Sequence, residues 1–136
     1  MDVTVLTSFL APFLPFLVKS SEAAAKEAGK QFGSDAWIRA KSIWTKLLPK
    51  MQAKEAAREA FEDLAEEPQN ETLKTIFRLQ LEKLLKTDEA LAKTISQLID
   101  EDSESVANVI RISQTVSGEK NVTIGQQTGG NFTLNN

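Results

Sequence analysis

The chain contains no cysteine and no histidine. Without cysteine there is no disulfide, no thiol nucleophile and no thiolate metal site. Without histidine the chain lacks the usual general base at neutral pH and the commonest nitrogen ligand for a transition metal. A phosphate-cradling glycine loop is also missing. "GSDAW" and "SGEKN" have neither the length of such a loop nor the following Lys-Ser/Thr. Ser34 and Ser117 have no histidine to activate them. We therefore expect no enzyme, no cofactor and no metal. The longest apolar run, "VTVLTSFLAPFLPFLV" at residues 3–18, is shorter than the roughly 20 residues that cross a bilayer. The start "MDVTVLTSFL" has no basic residue, unlike a secretory signal. With the absence of cysteine, this points to the cytoplasm. The sequons at Asn70, Asn121 and Asn131 then carry little weight.

With 136 residues and a net charge of −3, the chain is long enough for one modest core. Residues 1–33 form a first segment, apolar and then alanine-rich. All of residues 3–18 are apolar or proline except Thr4, Thr7 and Ser8. Pro12 and Pro15 bend or break a helix there. Continuation through "SSEAAAKEAGK" extends helix to about residue 30, with Gly29 and Gly33 as the stop. Three readings stay open for this run. It is a helix that is buried or lies at an oligomer contact, or it associates with a membrane through Phe9, Leu10, Phe13, Leu14, Phe16 and Leu17, or it is disordered.

Residues 34–104 read as a helical bundle. Ser34 is an expected N-cap, and Trp37, Ala40, Ile43, Trp44 and Leu47 share one helical face. Pro49 ends or bends that helix. The next runs from about Met51 to Ala65, with Ala57, Phe61 and Leu64 inward. Asn70 caps a third, with Leu73, Ile76, Phe77, Leu81 and Leu84 as its stripe. Thr87 or Asp88 opens a fourth, with Leu91, Ile95 and Leu98 inward. Trp37 and Trp44, seven apart, fill the core or present a partner face. Arg39, Lys41, Lys46, Lys50, Lys54 and Arg58 make one stretch basic, and the acids of 59–71 follow. A nucleic-acid face is not expected from a chain of negative total charge. Glu59, Glu62, Asp63, Glu66 and Glu67 have no recognisable cation-loop spacing and read as an exposed face.

Residues 105–136 look different again. "VANVIRISQTV" is rich in β-branched residues, and "NVTI" and "NFTL" repeat ten residues apart around "GQQTGG". This predicts three short strands joined by turns. Such a ribbon is marginal alone, so pairing between chains is the expectation. It would use Val109, Ile110, Ile112, Val122, Ile124, Phe132 and Leu134.

Through "EAAREAFEDLAEEPQNETLKTIFRLQLEKLL" and "SGEKNVTIG", the chain resembles a group of short bacterial, often cyanobacterial, proteins of unsettled function. These join a small helical domain to a repetitive Gly/Asn/Val/Ile tail. Similar tails occur in proteins linked to signalling ATPases of conflict systems. The resemblance implies assembly and signalling, and it carries over no site residue. The expected fold class is thus mainly α, a small bundle with an apolar N-terminal helix and a C-terminal short-strand β segment that assembles between chains. The expected function is a non-enzymatic oligomerising adaptor clustered by its β tail, with a homo-oligomer and a protein partner on the helical domain. The alternatives are a membrane effector acting through residues 3–18, and a monomeric adaptor with a flexible tail.

Overall fold

A computed structural model describes residues 2–122, and side chains as far as Gln114. Among the described residues every regular element is helical. The prolines divide the apolar start. Helix α1 (Val3–Leu10) passes through a 3₁₀ turn (Ala11–Phe13) into α2 (Leu14–Lys19). Pro12 and Pro15 sit in the first turns of their pieces, where an N–H would have had no helical partner. Asp2 caps α1, its carboxylate accepting from the Thr4 amide at 2.9 Å and the Val5 amide at 3.3 Å. The run does not continue to residue 30 in one piece. Ser20 turns left-handed at φ 52°, and Ser21 starts α3 (Glu22–Phe32) by accepting from the Ala24 amide at 3.0 Å. Gly33, at φ 94°, ends α3 and sends the chain back as α4.

Helix α4 (Ser34–Gln52) begins one residue earlier than a Ser34 cap would allow, and it continues through Pro49. Lys54 supplies the extended residue before α5 (Glu55–Glu66). Asn70 caps α6 (Glu71–Thr87) and Asp88 caps α7 (Glu89–Glu101), each side chain accepting from the amide three residues on. Ile76 does not lie inward on α6. It is 42% exposed, while Phe77, Leu81, Leu84 and Leu85 form the buried stripe.

One core joins these elements, and the apolar start lies at its centre. Leu6, Phe9, Leu10, Phe13 and Leu14 are fully buried and Leu17 is 6% exposed. They pack with Trp37, Ile43, Leu47, Phe77, Leu81, Ile95 and Val109 in the same cluster. Each full burial of such a side chain stabilises by about 1.5–3 kcal/mol. This overturns the membrane reading of residues 3–18: the six residues expected to insert supply the core, apart from half-buried Phe16. No described helix is long and apolar enough to cross a membrane.

The β tail is corrected as well. Its first expected strand lies within α8 (Ser103–Val122). The Asp102 carboxylate accepts from the Ser105 amide at 3.3 Å at its start. Val106, Val109 and Ile110 are spaced for a helix face as well as for a strand. Val106 and Val109 are buried and Ile110 packs against the core. Tertiary burial therefore decides against the local β preference. Val109 and Ile110 are thus unavailable for pairing between chains, Ile112 is 38% exposed on a helix, and Val122 ends α8. Ile124, Phe132 and Leu134 lie outside the described residues. Helix α8 packs on α1, α3, α4 and α7. That contradicts a chain clustered by a β segment from residue 105, and equally an adaptor whose loose tail starts there.

Candidate functional site

The surface is open where α2 ends. At that point the chain needs two residues to reverse. The Ser20 amide donates to the Phe16 carbonyl at 3.0 Å and its hydroxyl donates to the Leu17 carbonyl at 2.8 Å. Ser21 then caps α3. The corner stands away from the second half of α4, which extends past α3 because it is eight residues longer (19 against 11). Between them lies a half-open cleft of about 370 Å³. One wall is Phe16, Leu17 and Ala25, with Ser20 and Ser21 above. The other is the stripe Trp37, Lys41, Trp44, Thr45, Leu48, Pro49 and Gln52 along α4.

Trp37 and Trp44 therefore have two roles at once. They are 9% and 5% exposed and belong to the core. Trp37 tilts against Phe13 with centroids 5.9 Å apart, and Trp44 meets Phe61 edge-on at 5.1 Å. The remaining edge of each ring forms the cleft floor. Lys41 is the one ionisable residue of the lining. Its Nζ lies 5.9 Å from the Trp37 ring centroid, within reach of a cation–π attraction. No carboxylate pairs with it among the described residues. The Thr45 hydroxyl donates to the Lys41 carbonyl at 2.8 Å. The Thr45 carbonyl lacks its usual helical donor, because Pro49 has no N–H.

The other edge of α4 is occupied. Arg39 pairs with Glu101 at 2.8 Å and Lys50 with Asp88 at 3.3 Å, both on the α7 side. The amide of Leu91 and the Lys50 ammonium together hold the Asp88 carboxyl below its ordinary value of 3.8, with partial burial opposing them. The basic stretch read from the sequence is thus divided. Arg39 and Lys50 serve the docking of α7, Arg58 lies 3.9 Å from Glu55, and Lys41 faces the cleft.

Further hollows lie among the described residues. One of about 390 Å³ lies between Pro12, Pro15, Phe32, Pro68 and Ile112, on the far side of Phe16. The Gln69 Oε1 there is buried without a partner. A shallow one next to Lys41 is bounded by Ile38 and Lys46. Glu59, Glu62, Asp63, Glu66 and Glu67 are all exposed on or just after α5. Among the described residues no three acidic side chains group to hold a metal ion.

No family model, curated protein or solved structure matches the chain. The cleft's own chemistry must therefore carry the functional reading. Sequence inspection pointed to Trp37 and Trp44 but missed Lys41, Thr45, Leu48 and Pro49. The available signal was the spacing 37, 41, 44, 48 and 52, which places polar and apolar residues on one stripe.

Proposed function

We propose that the protein is a non-catalytic binding module that receives apolar side chains of a partner protein in the Trp37–Trp44 cleft. The observation that carries this is a pair of tryptophan rings, held by the core from behind, forming the floor of an apolar cleft that is open to solvent. Rigid aromatic rings in a concave, partly dry setting are what interfaces use as energetic anchors. The surrounding chemistry favours binding over catalysis. The only ionisable group in the lining is a lysine, and the Thr45 hydroxyl is already committed to a backbone carbonyl.

A photoreactive residue at Gln52, on the cleft lip, tests this in the cells that make the protein. The expected outcome is one discrete adduct, lost when Thr45→Trp fills the cleft, and no adduct from the same group at Glu62 on α5. Equal adducts from both positions, or an adduct indifferent to the filled cleft, would overturn the reading.

A further inference from the structure

The cleft is a trough rather than a chamber. Its α4 wall runs from Trp37 to Gln52, which at about 1.5 Å per residue is roughly 22 Å, or four helical turns. A volume of about 370 Å³ spread over that length suits a row of side chains better than one enclosed small molecule. Amphipathic helices dock in such grooves through anchors at i, i+3 or i+4, and i+7.

Charge narrows the choice further. Between Ala36 and Gln52, α4 carries Arg39, Lys41, Lys46 and Lys50 and no acid. Arg39 and Lys50 are neutralised by α7. Lys41 remains exposed and, among the described residues, unpaired in the cleft lining, whereas Lys46 and Ile38, 60% exposed, border the neighbouring shallow hollow. The helices of the opposite corner carry Lys19, Glu22 and Lys26, all exposed, so Lys41 is the one charge the cleft lining itself holds. An apolar trough whose single ionisable group is an unpaired ammonium lacks a carboxylate. The Thr45 carbonyl, which gets no amide hydrogen from Pro49, can accept a further hydrogen bond.

Resting on the binding role proposed above, we infer that the occupant is an acidic amphipathic helix of a partner protein. Its apolar stripe lies over Trp37, Trp44 and Leu48. A Glu or Asp beside that stripe meets Lys41, and a polar side chain of the helix donates to the Thr45 carbonyl. The carboxylate gains most at Lys41, because the ring beneath and the docked helix above both reduce solvent screening there.

The two tryptophans are the only ones in the chain, so their emission reports on this cleft and on the core directly behind it. The experiment titrates the full chain with designed helical peptides of about 16 residues, free of aromatic residues. They share a leucine stripe and differ only in flanking Glu or Lys. Laurate is titrated in parallel, and light scattering follows mass. The Glu-flanked peptide should shift the emission and bind roughly two- to fivefold tighter than its Lys-flanked twin. Lys41→Glu, at an exposed position, should reverse that order without changing the fold. Equal affinity of the two peptides would overturn the acidic assignment and leave the cleft as a binding site. A response to laurate alone would replace the helix with a small amphiphile. Concentration-dependent dimer formation that blocks the peptides would make a second copy the occupant. Emission that no probe moves would overturn the cleft reading itself.

Discussion

Phe13 and Phe16 lie three residues apart in the same apolar run and end in opposite surroundings. Phe13 is fully buried, edge-on to Phe9 at 5.4 Å and to Phe32 at 4.9 Å, and tilted against Trp37. Phe16 is half-buried and stands as a partition, with the tryptophan cleft on one side and the proline-lined hollow on the other. Composition does not distinguish them. What does is the chain break that follows. The left-handed Ser20 ends α2 before the helix can cover its own last turn, and α3 restarts at an angle that leaves the ring half open. Apolarity puts a segment inside, and backbone interruptions decide where the inside stays open.

Truncation should separate the two rings more clearly than any other change. Phe13→Ala removes a ring with three aromatic neighbours in a closed core, and it should cost about 3–5 kcal/mol of unfolding free energy. Phe16→Ala should cost clearly less, because its ring is already partly solvated and its loss enlarges two hollows that are open anyway. Urea unfolding of both variants checks this. Equal losses would mean that the closed and open regions are not energetically distinct.

The next largest effect should be a gain. Pro49 lies inside α4 and removes one helical hydrogen bond. Pro49→Ala restores an N–H to the Thr45 carbonyl and should stabilise the chain by about 1–2 kcal/mol. If so, α4 tolerates strain along the cleft that it does not carry along its closed face. An unchanged or lowered midpoint would mean the proline is better accommodated than its chemistry implies. A smaller loss is expected on the opposite wall. Ser21→Ala removes the cap of α3 and should cost about 1 kcal/mol, with the tryptophan emission changed because the corner frays.

The helical stretches were legible in the sequence where one periodicity dominated. Trp37, Ala40, Ile43, Trp44 and Leu47 are buried on one face of α4, and Ala57, Phe61 and Leu64 on one face of α5. Asn70 caps its helix. The misreadings share a cause: each needed to know what lay across the core. Residues 3–18 carry no charged residue and only Thr4, Thr7 and Ser8 as polar ones, so their pattern cannot tell a bilayer from a protein interior. "VANVIR" fits a strand and a helix equally well by spacing, and only contact with α1, α3 and α4 settles it. Ile76 fits the stripe of α6 within one position, but the packing selects its neighbour Phe77. The cleft was half legible. Two aromatic residues seven apart stood out, whereas Lys41 and Thr45 gain meaning only because the α2–α3 corner faces them.

The smallest expected effect belongs to the closed edge of α4 and depends on pH. Asp88 caps α7 through the Leu91 amide at 3.1 Å and meets Lys50 at 3.3 Å, and both lower its pKa from 3.8. A carboxyl whose folded pKa is lowered stabilises the fold above the unfolded value. That contribution is lost as the pH falls through the folded one. Asp88→Asn retains a competent cap and removes only the charge. The wild-type chain should therefore be the more stable at neutral pH. Its lead should shrink below about pH 4 and vanish once Asp88 is protonated in the folded state as well. Carboxyl groups shared by both chains cancel in the difference. Lys50→Gln should reduce the lead, and added salt should do the same, because the lysine is more than half exposed. Since this pair lies on the α7 side, tryptophan emission should stay constant throughout. A parallel change in emission would mean that the two edges of α4 are coupled, and the cleft would then respond to acid as well as to a partner.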